Sequence, residues 1–245
     1  MIDLSIVLPV FNEVDNVPVI ASEVGGVADQ LGLKTEIVFV DDGSTDGSTE
    51  AIVAAMERDT RVRLVRLESN AGLTSAFDAG YAAARGRVVV TMDADLQSDP
   101  RDIPAMLDVL AGGADAVVGW RRERHDTWLK RVSSRIANAI RNRVTGDAVI
   151  DSACSLRVMR RECLPALLPY DGLHRFVPTL LRSAGFRVVQ LPVRHRARRF
   201  GRSKYGVRNR AARAFLDLLA VKWLLGRSLH YQAREIETRT PSART

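Results

Sequence analysis

Apolar residues along the first 120 positions fall into short runs, and helix-length segments separate them. LSIVLPV (4–10), EIVFV (36–40), VRLVRL (62–67), RVVVTM (87–92) and ADAVVG (114–119) are largely apolar and β-branched. Runs of this kind, with little alternation, mark strands covered on both faces. Helices are predicted between them over 14–31, 47–58 and 73–84, and over a segment ending near 111 with Pro104 in its first turn. Gly25 and Gly26 weaken the first of these helices. Short strands alternating with helices of roughly 10 to 15 residues predict an α/β fold with a parallel sheet.

The pattern changes after Gly119. Residues 121–145 read as a basic helix, and SLRVMRR (155–161) as a strand leading into a turn. A helix over 175–184 and a strand in FRVVQLPVRHR (186–196) follow, then a basic loop over 196–210. The polar end, REIETRTPSART from Arg234, is expected to be disordered. The organisation predicted is one domain over 1–232, made of a half at 1–120 and a half at 121–232, with a tail over 233–245.

Composition narrows the class. The chain has 245 residues, 46% of them hydrophobic, and a net charge of +7 with a pI near 10.0. That content supports a sizeable core, and the charge predicts an anionic partner. Cys154 and Cys163 form no metal-ligand pattern, so free thiols in a reducing, cytoplasmic compartment are expected. The N-terminus lacks a basic lead and a small-residue cleavage site, and reads as a strand rather than a signal peptide. The apolar run AFLDLLAVKWLLG (214–226) is interrupted by Asp217 and Lys222 and falls short of the ~20 residues of a membrane span. Arg208, Arg210 and Arg213 precede Phe215, Leu218, Leu219, Trp223 and Leu224 there. That order suits a helix lying at an anionic membrane surface, or one packing on the protein itself.

Polar clusters sit at four predicted strand ends. They are Pro9-Val10-Phe11-Asn12-Glu13, Asp41-Asp42-Gly43-Ser44, Asp93-Ala94-Asp95-Leu96-Gln97 and Gly119-Trp120-Arg121. Ligands of open parallel sheets bind beyond the carboxyl ends of the strands, so the four would converge on one crevice. In an extended segment Asp93, Asp95 and Gln97 would point the same way, and their oxygens suit Mg²⁺ or Mn²⁺. Asp99 before Pro100 reads as a helix cap. Asp41 and Asp42 could bind a base or ribose while Ser44 to Ser48 build the turn. Pro9 and Phe11 could flank a base, beside Glu13.

From Arg194 to Arg213 nine basic residues occur without an acid, and Gly201, Ser203 and Gly206 surround Lys204. Such a loop suits gripping phosphates. The histidines, at 125, 174, 195 and 230, show no ligand spacing and are assigned no role. Phosphate-loop, dinucleotide-loop and nucleophile-elbow motifs are missing. A haloacid-dehalogenase-type phosphatase would need its acidic pair on the first strand. A nucleic-acid-binding protein would account for the pI, but the acids lie in the predicted crevice and no helix-turn-helix or zinc finger is seen.

These segments together resemble the family-2 glycosyltransferases of the GT-A fold, and within them the polyprenyl-phosphate (dolichol-phosphate) mannose synthase branch. VLPVFNE resembles V-x-P-x-[YF]-N-E. VFVDDGSTDGS resembles D-D-x-S-x-D-G-[TS]. NAGLTSAFDAGYAAARG (70–86) resembles N-x-G-x-x-x-A-x-x-x-G-x-x-x-A-x-G, and MDADLQSDP resembles M-D-A-D-L-Q-x-x-P. The resemblance covers residues 4 to about 206. It implies that Pro9, Phe11, Glu13, Val40 and Asp42 hold the base and ribose. Asp93, with Ala94, would touch the nucleotide, and Asp95 and Gln97 would ligate the metal. Arg121 would contact phosphate. Asp151 to Arg157 (DSACSLR) resembles the acceptor segment D-x-x-[SC]-[GS]-[FL]-[RK]. Arg198 and Lys204 match the cations of the R-x-x-G-x-S-K loop over the diphosphate, with Arg199 the neighbouring alternative.

The reaction implied is inverting transfer of a sugar from a nucleoside diphosphate sugar to a polyprenyl phosphate at the cytoplasmic membrane face. GDP-mannose is the favoured donor, ahead of UDP-glucose and UDP-N-acetylglucosamine. Asp93, Asp95, Arg121 and Lys204 would carry the chemistry. A phosphate acceptor arrives ionised and needs no base. An alcohol acceptor would need one, and Asp151 is the candidate. Two departures stand out. Ser155 replaces the usual glycine of the acceptor segment, and Trp120 replaces a smaller residue beside Arg121. The C-terminal transmembrane helices of many relatives have no counterpart in the sequence.

Overall fold

The computed structural model describes residues 1–122, 128–200 and 208–227. The expected tail and Lys204 lie outside the described residues. The described strands form one seven-stranded sheet in the order β3-β2-β1-β4-β6-β5-β7. They are β1 (Leu4–Val10), β2 (Thr35–Asp41), β3 (Val62–Arg66), β4 (Val88–Thr91), β5 (Ala116–Arg121), β6 (Arg157–Arg160) and β7 (Val188–Val193). All run parallel except β6, which is antiparallel to both β4 and β5. The expected mostly parallel α/β sheet is present.

The continuous apolar strands are explained by two-sided burial. In β1, Ile6 and Leu8 face one core cluster while Val7 faces the other, and all three are fully buried. The first cluster is completed by helices α1 (Val17–Leu31), α2 (Ser48–Arg58) and α4 (Ile103–Ala111). The second is completed by α3 (Leu73–Ala83), α6 (Val177–Ser183) and α7 (Arg208–Leu225). Helix α5 (Trp128–Thr145) packs against α7.

Helix α1 starts three residues later than the sequence predicts, because Glu13 to Asn16 form a turn closed by the Asn16 N–H on the Glu13 carbonyl at 2.9 Å. It then runs through Gly25 and Gly26 unbroken. A Cβ at Gly25 would lie 3.3 Å from the Asp59 carboxylate, so the glycine admits the close approach of the Asp59–Arg61 pair. Asp99 caps as expected: its carboxylate accepts the Arg101 N–H at 3.0 Å, at a 3-10 turn (Pro100–Asp102) leading into α4.

The reversed strand decides where the site is. β6 runs opposite to its neighbours, so its N-terminal end lies at the edge where β4 and β5 end. The chain just before it, Asp151 to Leu156, therefore reaches the same edge as Asp93 and Arg121.

Candidate active site

The ends of β1 and β2 are clasped to each other. The Asn12 N–H donates to Ser44 Oγ at 2.9 Å and the Glu13 N–H to Ser48 Oγ at 2.8 Å. The Val14 N–H donates to Asp46 at 3.2 Å, and the Thr45 N–H to Asn12 Oδ1 at 2.8 Å. Asn12 accommodates the left-handed backbone this demands, with φ of 52°. Much of the polar character of DDGSTDGS is thus spent on loop structure.

Asp42, expected against base and ribose, is buried, and its carboxylate accepts three N–H groups. The donors are Asn70 Nδ2 at 2.9 Å, the Ala71 N–H at 2.7 Å and the Gly72 N–H at 3.0 Å. Burial pushes its pKa up, against the pull of the Ala71 and Gly72 amides. Asp42 holds the loop before α3, and Gly43, at φ of 71°, lets that loop lie against it: a Cβ there would be 2.6 Å from the Asn70 nitrogen. Asp41 is likewise enclosed, accepting from the Ser44 N–H at 2.8 Å and from the Thr49 hydroxyl. Pro9 and Val40 are register partners with buried side chains. Val40 lies in the core with Ala76 and Phe77 and leaves no side-chain surface for a ligand. Phe11 and Glu13 remain half-buried at this end of the sheet.

At the end of β4, Asp93, Asp95 and Gln97 do share one cleft, but not through extended alternation. Leu96 takes a left-handed conformation with φ of 62°. Such a backbone costs an L-residue about 1–2 kcal/mol. The compensation is visible: Leu96 is buried in the core and pins the bend from below. Asp95 closes the bend by accepting the Gln97 N–H at 3.1 Å. Ala94 is buried beneath them. The Asp93 N–H donates to Ser155 Oγ at 3.2 Å, tying the bend to the segment before β6. Burial, then the neighbouring Asp95 charge, push the Asp93 carboxyl up to about 6, opposed by Ser155, Arg157 and Arg121.

Arg121 meets Asp151 from the other side. Its Nε lies 2.6 Å from one carboxylate oxygen and its Nη2 2.9 Å from the other. The Arg121 and Ala153 N–H groups donate to the same carboxylate at 3.3 and 3.2 Å. Asp151 is only 5% exposed. Asp151, the candidate base for an alcohol acceptor, has its oxygens turned to Arg121 and the backbone. Nearby Arg157 is buried, donates from Nη2 to the His174 carbonyl at 2.6 Å, and has no hydrogen-bond partner for Nε or Nη1.

The basic run is internal at its start. Residues 194–198 run beside the bend, with Ser98 and His195 bridged and the Arg196 N–H donating to the Gln97 carbonyl at 2.8 Å. Every second residue then meets an acid. Arg194 lies 3.4 Å from Asp102, and Arg196 pairs with both oxygens of Glu23 at 2.9 and 2.7 Å. Arg198 reaches Asp95 at 2.6 Å and Glu13 at 3.4 Å. Arg199 instead stacks over the Phe200 ring at 5.2 Å, so Arg198 is the arginine facing the site. His195, given no role from the sequence, lines the cleft. The only sequence signal was its place three residues before the R-x-x-G-x-S-K run.

The resulting cleft is lined by Asp93, Asp95, Gln97, Arg121, Ser155 and His195 among others. No group of three or more His, Cys, Asp or Glu side chains close enough to cage a metal occurs among the described residues. The donors are one or two carboxylates and an amide oxygen. That set fits a hard cation such as Mg²⁺ or Mn²⁺, which keeps waters and takes further oxygens from a substrate.

Glycosyl transferase family 2 covers residues 5–168, and the chain belongs to that family. It is 38% identical over 205 residues to undecaprenyl-phosphate 4-deoxy-4-formamido-L-arabinose transferase of Edwardsiella ictaluri, spanning 83% of this chain and 63% of that protein. It is 37% identical over 238 residues to dodecaprenyl-phosphate galacturonate synthase of Rhizobium johnstonii, spanning 95% of this chain and 69% of that one. The chain thus spans less than two thirds of the first relative's length. Among solved structures, glucosyl-3-phosphoglycerate synthase of Mycobacterium tuberculosis, in complex with Mg²⁺ and uridine diphosphate, superposes with a TM-score of 0.69 at 21% identity. That match covers 90% of this chain and 79% of the other, and shows the shared GT-A fold.

Proposed function

We propose that the protein transfers one sugar from a nucleoside diphosphate sugar to the phosphate of a polyprenyl phosphate. The observation that carries this reading is the meeting of two unlike groups in one cleft. The Asp93–Gln97 bend supplies oxygens on the donor side, and the Arg121–Asp151 pair supplies a fixed cation on the acceptor side. The names of the two relatives, both polyprenyl-phosphate enzymes, support the acceptor.

In this reading Phe11 and Glu13 border the nucleotide, and Asp95 and Gln97 hold Mg²⁺ or Mn²⁺. A cation bound there supplies charge neutralisation for the leaving diphosphate. Arg198, with Lys204 from the sequence, would serve the same diphosphate. Arg121 would receive the acceptor phosphate. The relatives' names carry a formamido-arabinose and a galacturonate, and the solved structure carries uridine diphosphate. UDP-sugars therefore come first as donors, with GDP-mannose second.

The test is a panel of UDP- and GDP-sugars with Mn²⁺ or Mg²⁺ and undecaprenyl phosphate, followed by extraction of labelled sugar into organic solvent. One donor is expected to give a metal-dependent lipid product. Transfer to none of the panel sinks the reading.

Helix α7 gives the membrane contact proposed for this reaction. No described helix is long and apolar enough to cross a membrane. Phe215, Leu216 and Trp223 are 55%, 64% and 60% exposed, and Leu219 is exposed with them. Their spacing places them within an arc of roughly 100° on the helix. Leu218, expected on that apolar face, instead packs in the core with Val221. We assign the exposed face to an anionic lipid surface, because Arg208, Arg210 and Arg213 occupy the preceding turns. The Phe215→Ser/Trp223→Ser double variant is expected to lose co-sedimentation with anionic vesicles. Unchanged sedimentation would remove α7 from the interface.

A further inference from the structure

We infer that Asp151 is a positioning residue that aims Arg121 at the acceptor phosphate. The inference deepens the proposed function and rests on it. Four observations on one side chain lead to it. Asp151 is nearly inaccessible. Both its oxygens are taken by the guanidinium of Arg121 in a fork at 2.6 and 2.9 Å. The backbone N–H groups of Arg121 and Ala153 add two further donors. The segment itself is fixed, since Ser155 next to it anchors the Asp93 bend and its carbonyl accepts the Thr91 hydroxyl at 2.7 Å.

A base must meet the proton it removes, and a carboxylate packed this way presents its charge to its own arginine. A bidentate pair instead fixes the plane and direction of the guanidinium. Arg121 is left bordering the cleft beside Asp93. It is thereby aimed at the place where an acceptor phosphate can approach the sugar. Sequence alone had offered Asp151 as a base; the geometry gives it the second role.

The step balances without a base. An anionic oxygen of the acceptor phosphate forms a bond to the anomeric carbon, and the bond from that carbon to the diphosphate breaks. The acceptor gives up one negative charge and the leaving nucleoside diphosphate gains one. No proton is moved. Among the described residues, the titratable or charged groups around the pair include Asp93 and Asp95 after β4, Cys154 in the same segment, Arg157 on β6 and His195 after β7.

The test is a double-mutant cycle on kcat/KM for the acceptor with Arg121→Gln, Asp151→Asn and both together. A charged hydrogen-bonded group of this kind is worth roughly 10- to 100-fold. Both single variants are expected to lose activity within that range, and the double variant is expected to match Arg121→Gln. Losses that multiply in the double variant would overturn the inference. Nucleoside diphosphate binding with Mn²⁺ checks folding of each variant. A wild-type protein that transfers sugar to no polyprenyl phosphate sinks the proposed function, and this inference with it.

Discussion

Asp95→Ala is expected to lower metal-dependent sugar transfer by roughly 10²- to 10³-fold, the usual loss when one preorganised electrostatic stabiliser is removed. The expectation comes from position. Asp95 sits on the bend beyond β4, its side chain is 13% exposed, and it lines the cleft between Asp93 and Gln97. Leu96 pins the bend from below and Asp95 closes it with one hydrogen bond from the Gln97 N–H, so the substitution should loosen the bend but leave the fold intact. Its ion pair with Arg198 is partly solvated, and such pairs contribute about 0–1 kcal/mol. The thermal midpoint should therefore move by only a few degrees. Mn²⁺ binding followed by electron paramagnetic resonance should be lost together with activity. Normal turnover in this variant would end the assignment of Asp95 as the metal ligand.

Arg198→Gln is expected to move two affinities in opposite directions. In the structure Arg198 lies on the carboxylate that a divalent cation would need, 2.6 Å from Asp95, and it also reaches Glu13 at 3.4 Å. A guanidinium and a metal ion compete for one oxygen. Removing the guanidinium should strengthen Mn²⁺ binding to the nucleotide-free protein, by up to about fivefold for a pair worth at most about 1 kcal/mol. The same variant loses a cation from the diphosphate, and charged hydrogen bonds of this type are worth about 1.5–3 kcal/mol. Nucleoside diphosphate binding in saturating Mn²⁺ should weaken by roughly 10- to 100-fold. Calorimetric titration of each ligand separates the two effects. If both affinities fall together, Arg198 does not stand in for the cation.

The sequence was informative where the cause is local. The strands announced themselves because both faces of the sheet are covered, and Asp99 announced itself as a cap because Pro100 follows it. The four polar clusters were legible because a parallel sheet sends every strand end to one edge. Non-local pairing was hidden. RVMR is too short a run to reveal that β6 runs backward between β4 and β5. The arginines at 194, 196 and 198 looked like an unpaired basic run because their acids, among them Glu23 and Asp95, lie far away in the chain. The packing of Asp42 was hidden because its three donors come from residues 70–72. The expected alternation of Asp93, Asp95 and Gln97 failed at Leu96, where burial of a leucine outweighs the cost of a left-handed backbone.

β6 is hydrogen-bonded along both sides, with Val90 and Val117 each opposite Val158. Val158 belongs to one core cluster and Met159 to the other. A single-residue insertion between Ser155 and Arg157 would shift this alternation by one step and press a guanidinium into the aliphatic side of the sheet. Lengthening the chain near Gly146 would impose no such exchange. Family variants should therefore tolerate length changes before Asp151 and reject them after it, which fixes the spacing between the Asp93 bend and the Arg121–Asp151 pair.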